Sequence, residues 1–548
     1  MQRRCACGER YPPDRGRTLG IVFGSLGLAV GFWSARRDRQ CPVTFPVEEG
    51  QVDEDYSSRP CMAAGYTCFR HEAAISPGDN LAMSKLIPAA ASLLAAALLL
   101  SQTPPGSEPF LEKPYLQLGD APKISPSESL VLMWHTDTTP AQWAVEVRTS
   151  RDSAWRAVGQ PTSQTVSAPA GEPAVAGKNG AKKDSQASPA IKPHLVYRAR
   201  LTALVPGQEF RYRVLKAGEP VFDATARARK SPAQPFRFAL FGDCGQGTPA
   251  ENAVAYQAYL AKPDFIFIPG DIVYSSGRIS EYRTKFFPSY NSDEPSAKDG
   301  APLLRSLPFI AVPGNHDTAL NNYQRFPDAL AYYLYWDQPL NGPVAPPDAV
   351  KAGHILTGSA SAQPTFLDGA KPRYPRMANF SFDYGNSHWT VLDANTYMDW
   401  SNPALREWLT KDLAAAQSAT WRIVTFHQPG FNSSKDHFSE QYMRLLSPIF
   451  EANNVDIVFA GHVHNYQRSF PLTFAPAHQP DGKPVGPKGE VAGQWKLDKV
   501  FADGAGATLI CTGPCVGAIW IMTAPLEGRF RYFAGSALNF SAQAAQQK

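Results

Sequence analysis

Five short apolar runs between Phe238 and Ala460 each stop at a side chain able to hold a metal ion. Phe238-Ala-Leu-Phe241 runs into Gly242-Asp-Cys-Gly245, and Phe265-Ile-Phe-Ile-Pro269 runs into Gly270-Asp-Ile-Val-Tyr274. Phe309-Ile-Ala-Val-Pro313 leads to Gly314-Asn-His-Asp317, Ile423-Val-Thr-Phe426 to His427, and Val455-Asp-Ile-Val-Phe-Ala460 to Gly461-His-Val-His464. Runs this short and this apolar read as buried strands. The glycines allow sharp turns that present the next side chain at the strand tip. A single Gly-Asp is an ordinary turn, and a single strand-end histidine is an ordinary structural residue. Five in succession describe a site. Carboxylate, imidazole, amide oxygen and phenolate together suit zinc, iron or manganese.

The surrounding pattern places these tips in an α/β domain spanning 235–535. Strand Phe236–Phe241, helix Glu251–Ala261 and strand Asp264–Pro269 form a βαβ unit. The alternation returns as strand Trp389–Leu392, helix Pro403–Ala416, strand Arg422–Phe426, helix Phe438–Ala452 and strand Val455–Phe459. In such sheets function gathers at the carboxyl ends of the strands. Before this domain, 111–230 reads as an all-β sandwich. Leu130–Trp134 and Trp143–Val147 are rich in strand formers, while Leu195–Leu201 and Phe210–Val214 alternate apolar and polar residues. The Ala/Gly/Ser/Pro/Lys segment from Gln160 to Lys192 reads as a flexible loop inserted in the sandwich.

Composition narrows the class. With 43% hydrophobic and 11% aromatic residues the chain is globular, and its 49 prolines place much of it in loops and edge strands. A net charge of +4 and the lack of a basic stripe interleaved with aromatics give no expectation of nucleic-acid binding. Met83-Ser-Lys85, the Ala/Leu run to Leu100 and the Pro-broken exit at Ser101–Pro105 make an export signal over 83–105. The expected location is therefore secreted or periplasmic, with no stable membrane span in the mature chain. The apolar Thr18–Trp33 stretch is short for a span, which needs about 20 residues. A complete signal lying inside the chain implies that translation starts at Met83 and that 1–82 is a non-native or unstructured extension. Cys244, Cys511 and Cys515 then remain; Cys511 and Cys515 are either a small disulfide or two inert thiols.

The ordered blocks G-D-x-G, G-D-x-x-Y, G-N-H-D, V-x-x-H and G-H-x-H resemble the calcineurin-like metallophosphoesterases, and Tyr274 in the second block narrows the resemblance to the purple acid phosphatases. The resemblance covers Leu111 to the 520s. It implies a four-layer metallophosphoesterase fold, a β-sandwich flanked by helices, behind a fibronectin III-like sandwich. It also implies two metal ions bridged by Asp271. Ferric iron would take Asp243, Asp271, Tyr274 and His464; divalent zinc, iron or manganese would take Asp271, Asn315, His427 and His462. A phenolate is a hard anion that stabilises the ferric state and gives such sites colour. Two ions about 3.5–4 Å apart can clamp a phosphoryl group and generate a hydroxide nucleophile. His316 would protonate the leaving group or hold the phosphoryl oxygens, Asp317 would orient His316, and His437 would bind substrate.

The implied substrate is a small phosphate monoester. The same site could serve a phosphodiesterase or nucleotide pyrophosphatase, and a binding protein that kept the fold without turnover is the third reading. Oligomeric state is not legible. His388 and the Tyr332, Tyr333, Tyr335 and Trp336 cluster read as packing, Cys244 as a small filler, and Tyr466 and Arg468 as braces of the last strand tip. Asn379, Asn432 and Asn539 match a glycosylation pattern that is common by chance. Ala524–Gly528 departs from the family's Gly-rich stretch and leaves the final strand open.

Overall fold

The computed structural model describes residues 108–173, 188–343, 353, 356–433, 435–464, 467–469 and 472–497, with strand segments at 509–510, 518–522 and 531–534. The extension 1–82, the export signal at 83–105, residues 174–187, Tyr466, Cys511, Cys515, Ala524–Gly528 and Asn539 lie outside the described residues, as does the side chain of Arg468. The loop expected over Gln160–Lys192 instead carries strand Thr162–Ala168 and the start of the strand from Ile191, which pair with each other.

Eight strands make the first part of the described chain: β1 (Glu112–Gln117), β2 (Glu128–Thr136), β3 (Trp143–Thr149), β4 (Arg156–Ala157), β5 (Thr162–Ala168), β6 (Ile191–Leu204), β7 (Glu209–Lys216) and β8 (Glu219–Arg227). β4-β3-β7-β8 form one antiparallel sheet. The other strands do not close on themselves. They continue a larger sheet through β9 (Phe236–Leu240), β10 (Phe265–Pro269) and β11 (Phe309–Val312), with β1 running parallel to β11. The core is continuous as well. Trp134, Trp143 and Tyr212 of the sandwich belong to the same buried cluster as Phe238, Phe265 and Phe267.

A second large sheet contains β12 (Phe380–Tyr384), β13 (Ser387–Val391), β14 (Trp421–Thr425) and β15 (Ile457–Ala460). The two sheets pack through aromatic side chains: the Phe238 and Trp389 rings meet edge-on at 5.0 Å, and Phe267 stacks on Trp389 at 5.6 Å. Helix α1 (Pro249–Ala261) buries Val254, Ala255 and Ala258 on the outer face of the first sheet. Helix α2 (Pro403–Ala415) buries Leu405, Leu409 and Leu413 on the second. Each such leucine contributes about 1.5–3 kcal/mol by leaving water. Helix, sheet, sheet and helix make four layers, as the resemblance implied.

Helix α1 starts where its sequence directs: the Thr248 hydroxyl accepts the Glu251 amide, and Pro249 fills the first turn. The helix expected over Phe438–Ala452 forms only in part. A 3-10 turn covers Tyr442–Leu446 and an α-helix covers Ser447–Ala452, opened by Pro448. Ahead of them Gln441 turns its side-chain amide back onto the Phe438 carbonyl at 2.8 Å, competing with helical hydrogen bonding, so 435–441 is loop. The final strand left open by the sequence is present as Arg531–Ala534, parallel to β15. Among the described residues no helix is long and apolar enough to cross a membrane.

Candidate metal centre

β9, β10 and β11 are parallel neighbours in one sheet, and β14 and β15 are parallel neighbours in the other. Their carboxyl ends therefore point the same way within each sheet and bring all five polar tips together. The loops at these ends are tied by the backbone. Asp243 N–H donates to Gly270 O at 3.0 Å, Cys244 N–H to Asp271 O at 3.0 Å, and Gly461 N–H to His427 O at 2.9 Å. Asp243, Asp271, His462 and His464 all adopt left-handed backbone, with φ between 49° and 73°. For a non-glycine residue that costs about 1–3 kcal/mol, a strain that gathers where function fixes geometry. Gly314 is required by proximity: a Cβ there would lie 2.2 Å from Asp271 Oδ1.

The side chains converge on two places that share Asp271. At the first, the Tyr274 hydroxyl lies 3.2 Å from Asp243 Oδ1, 3.0 Å from Asp271 Oδ2 and 3.1 Å from His464 Nε2. His464 Nε2 is also 3.3 Å from Asp243 Oδ1. At the second, His427 Nε2 lies 3.3 Å from Asp271 Oδ1 and 3.0 Å from Asn315 Oδ1. Asp271, His427 and His462 present ligand atoms within 4.8 Å of one another, as do Asp243, Asp271 and His464. Every residue expected to hold metal is thus beside at least one other.

These contacts fit cations and are poor without them. The Tyr274 phenol has one proton for three neighbours. Burial first, then the carboxylates of Asp243 and Asp271, hold that proton on far above the usual tyrosine range, so a phenolate needs a strong positive charge beside it. His427 donates Nδ1–H to the Pro269 carbonyl at 2.8 Å, which leaves its Nε2 lone pair facing the Asn315 and Asp271 oxygens. Burial opposes charge on this imidazole, but Asp271 overrides it and lifts the pKa to about 9. A cation at each place satisfies the same atoms without an imidazolium. This is a donor set of oxygens and imidazole nitrogens, suited to zinc, iron or manganese.

The remaining expected residues take definite positions. His316 sits at the mouth, its ring 4.5 Å from that of Tyr274; Nδ1 lies 2.8 Å from the Ser275 carbonyl and Nε2 3.9 Å from Asp271 Oδ2. Asp317 does not contact His316 as expected. It is fully buried, and its carboxylate accepts the backbone N–H groups of Gly314, Ile272 and Val273. Those amides point inward from two adjacent tips, and a carboxylate is the group that satisfies several of them at once; the ring of His316 turns to a carbonyl instead. Burial and the charge of Asp271 push the Asp317 carboxyl up to about 8.

His437 is close in. Its ring is 4.1 Å from that of His462, and Nδ1 is 3.1 Å from Glu440 Oε1. Glu440 carries no mark in the sequence as a site residue, yet its Oε2 is 2.8 Å from His462 Nε2. The signal available was the His437-x-x-Glu440 spacing. His388, expected to pack, instead lies between two carboxylates, with Nδ1 2.8 Å from Asp383 and Nε2 3.1 Å from Asp412. Tyr332, Tyr333, Tyr335, Trp336 and Cys244 are buried in the core as expected.

The chain is similar to known proteins. The calcineurin-like phosphoesterase family profile matches residues 236–466. Purple acid phosphatase 23 of Arabidopsis thaliana is 27% identical over 297 residues, covering 50% of this chain and 57% of its own. The uncharacterized protein Rv2577 of Mycobacterium tuberculosis is 26% identical over 369 residues, 63% of this chain and 60% of its own. The chain thus spans less than two thirds of the length of these relatives. The purple acid phosphatase PPD1 of yellow lupin (Lupinus luteus) overlaps 78% of this chain and 74% of its own at a TM-score of 0.44 and 16% identity. Residues 236–466 thus match the calcineurin-like phosphoesterase family, and the chain is similar in sequence to purple acid phosphatases.

Proposed function

We propose that the chain hydrolyses phosphate monoesters at a dinuclear metal centre. The first place, with Asp243, Asp271, Tyr274 and His464, holds ferric iron. The second, with Asp271, Asn315, His427 and His462, holds zinc, ferrous iron or manganese. The observation carrying this reading is the Tyr274 hydroxyl, which lies within 3.2 Å of Asp243, Asp271 and His464. That geometry suits a phenolate on a trivalent ion. When bound, the ion pair neutralises the phosphoryl oxygens and brings the pKa of water into the nucleophilic range.

The protein's own residues supply position and protons. Asp271 directs one oxygen to each place and receives the His316 backbone N–H at 2.9 Å, which fixes its rotamer. His316 fixes its ring through the Ser275 carbonyl, with Nε2 turned toward Asp271 Oδ2 at 3.9 Å. Water attacks phosphorus and gives up a proton to solvent, the bond to the ester oxygen breaks, and the leaving alkoxide takes its proton from His316 Nε2. His437 meets the substrate beside His462. The all-β segment is taken as a fibronectin III-like module, and the export signal as directing the chain to a secreted or periplasmic location.

The test is a release assay with the purified chain at acidic pH, comparing a phosphate monoester, a diester and a nucleotide pyrophosphate, with and without chelation. Preferential, chelator-sensitive monoester cleavage supports the reading. Preferential diester or pyrophosphate cleavage replaces it with its nearest rival, and no cleavage with two bound ions leaves the binding-protein reading.

A further inference from the structure

The ligands of the second metal place come from different sheets. Asn315 follows β11 in the first, and His427 follows β14 in the second. Something must set the distance between them, and one buried side chain touches both sides. Asn395 lies beyond the end of β13, the neighbour of β14, and is 2% exposed. Its Nδ2 donates to the Pro313 carbonyl at 3.1 Å, two residues before Asn315. Its Oδ1 accepts Gln428 Nε2–H at 3.0 Å, one residue after His427. A single planar amide therefore spans the seam between the two ligand loops.

Asn395 is itself held rigidly. Its backbone N–H and its Nδ2 both donate to Asp393 Oδ1, at 3.0 and 2.8 Å. Asp393 is in turn fixed by the Tyr397 hydroxyl at 2.6 Å, and its backbone N–H donates to Asn379 Oδ1 at 2.8 Å. The Trp400 indole N–H donates to the Asp393 carbonyl at 2.8 Å. None of these groups reaches the Asp243, Tyr274 and His464 place in any described contact.

We propose that Asn395 is a positioning residue that sets the Asn315–His427 separation and thereby the affinity of the second metal place, leaving the first place unaffected. The proposal rests on the two-metal reading above. The bland alternative is that Asn395 only satisfies buried polar groups, in which case its loss costs stability without choosing between the two places.

The experiment titrates Zn2+ into the metal-free full chain by calorimetry, for wild type, Asn395→Ala, Gln428→Met and the double variant, with thermal melts alongside. Asn395→Ala and Gln428→Met break the link from opposite ends, and methionine keeps the glutamine's volume if the alanine variant fails to fold. Two sites in wild type are expected. Each single variant should weaken one of them by about 10–100-fold while the other is unchanged, the usual effect of a residue that orients a ligand. The double variant should lose no more than the weaker single, because both changes cut one link. Equal weakening of both sites, no weakening, or fully additive losses overturns the proposal. A wild-type protein taking up fewer than two ions overturns the two-metal reading and this inference with it.

Discussion

Glu440 Oε2 lies 2.8 Å from His462 Nε2. A neutral imidazole that gives its Nε2–H to a carboxylate keeps the Nδ1 lone pair for a cation. Burial raises the Glu440 carboxyl, but hydrogen bonds from His437 and His462 outweigh it and bring the pKa down to about 2, so the group stays ionised across the working range. Glu440→Gln keeps the shape and removes the charge. Its expected effect is loss of about tenfold or more in affinity for the second ion, read by metal titration, with the fold intact by circular dichroism.

His388 gives a stability prediction of definite sign. Burial disfavours its charge, but hydrogen bonds to Asp383 and Asp412 lift its pKa to about 9. A base with a raised folded pKa contributes stability that is complete below its unfolded value, about 6.5, and is lost as pH rises through 9. His388→Gln should therefore cost about 1.5–3 kcal/mol at pH 5–6, the usual worth of charged hydrogen bonds. The gap from wild type should close towards pH 10. Urea melts across that range check it.

The junction between sandwich and catalytic sheets carries the opposite sign. His135 and His194 are fully buried. Tyr115 gives its hydroxyl proton to the Tyr335 carbonyl at 2.9 Å and accepts from His135 Nε2 at 3.0 Å, which leaves His135 Nδ1 as an unpartnered acceptor. The Tyr335 hydroxyl is 2.9 Å from His194 Nε2. Burial, then the positive charge of Arg283, brings the His194 pKa to about 4. The unfolded chain then binds more protons between about pH 6.5 and 4, so stability falls on acidification across that window. His194→Gln should flatten this acid limb in denaturant melts run from pH 7 to 4.

Much of the site was legible in the sequence because the chemistry sits at the ends of locally encoded strands. Phe265–Pro269 or Val455–Phe459 can hardly be anything but buried strands, and each is followed within three residues by a side chain able to hold a metal ion. Residues that act across the fold were not legible. Glu440 lay in an expected helix that Gln441 interrupts, and Asn395 comes after a strand with no pattern to mark it. His388 read as packing because its partners Asp383 and Asp412 come from the preceding strand and from α2. The sandwich read as separate because nothing local announces that β1 will pair with β11. That pairing is decided by the shared core of Trp134, Phe238 and their neighbours.

The proposed chemistry depends on a metal-bound Tyr274 phenolate in a two-metal site. The most direct test is the visible spectrum of the purified protein with metal content measured on the same sample, for wild type and Tyr274→Phe. Two ions per chain, one of them iron, and a broad visible band that Tyr274→Phe abolishes are the predicted result. Two ions without colour, or a band that survives Tyr274→Phe, would contradict it.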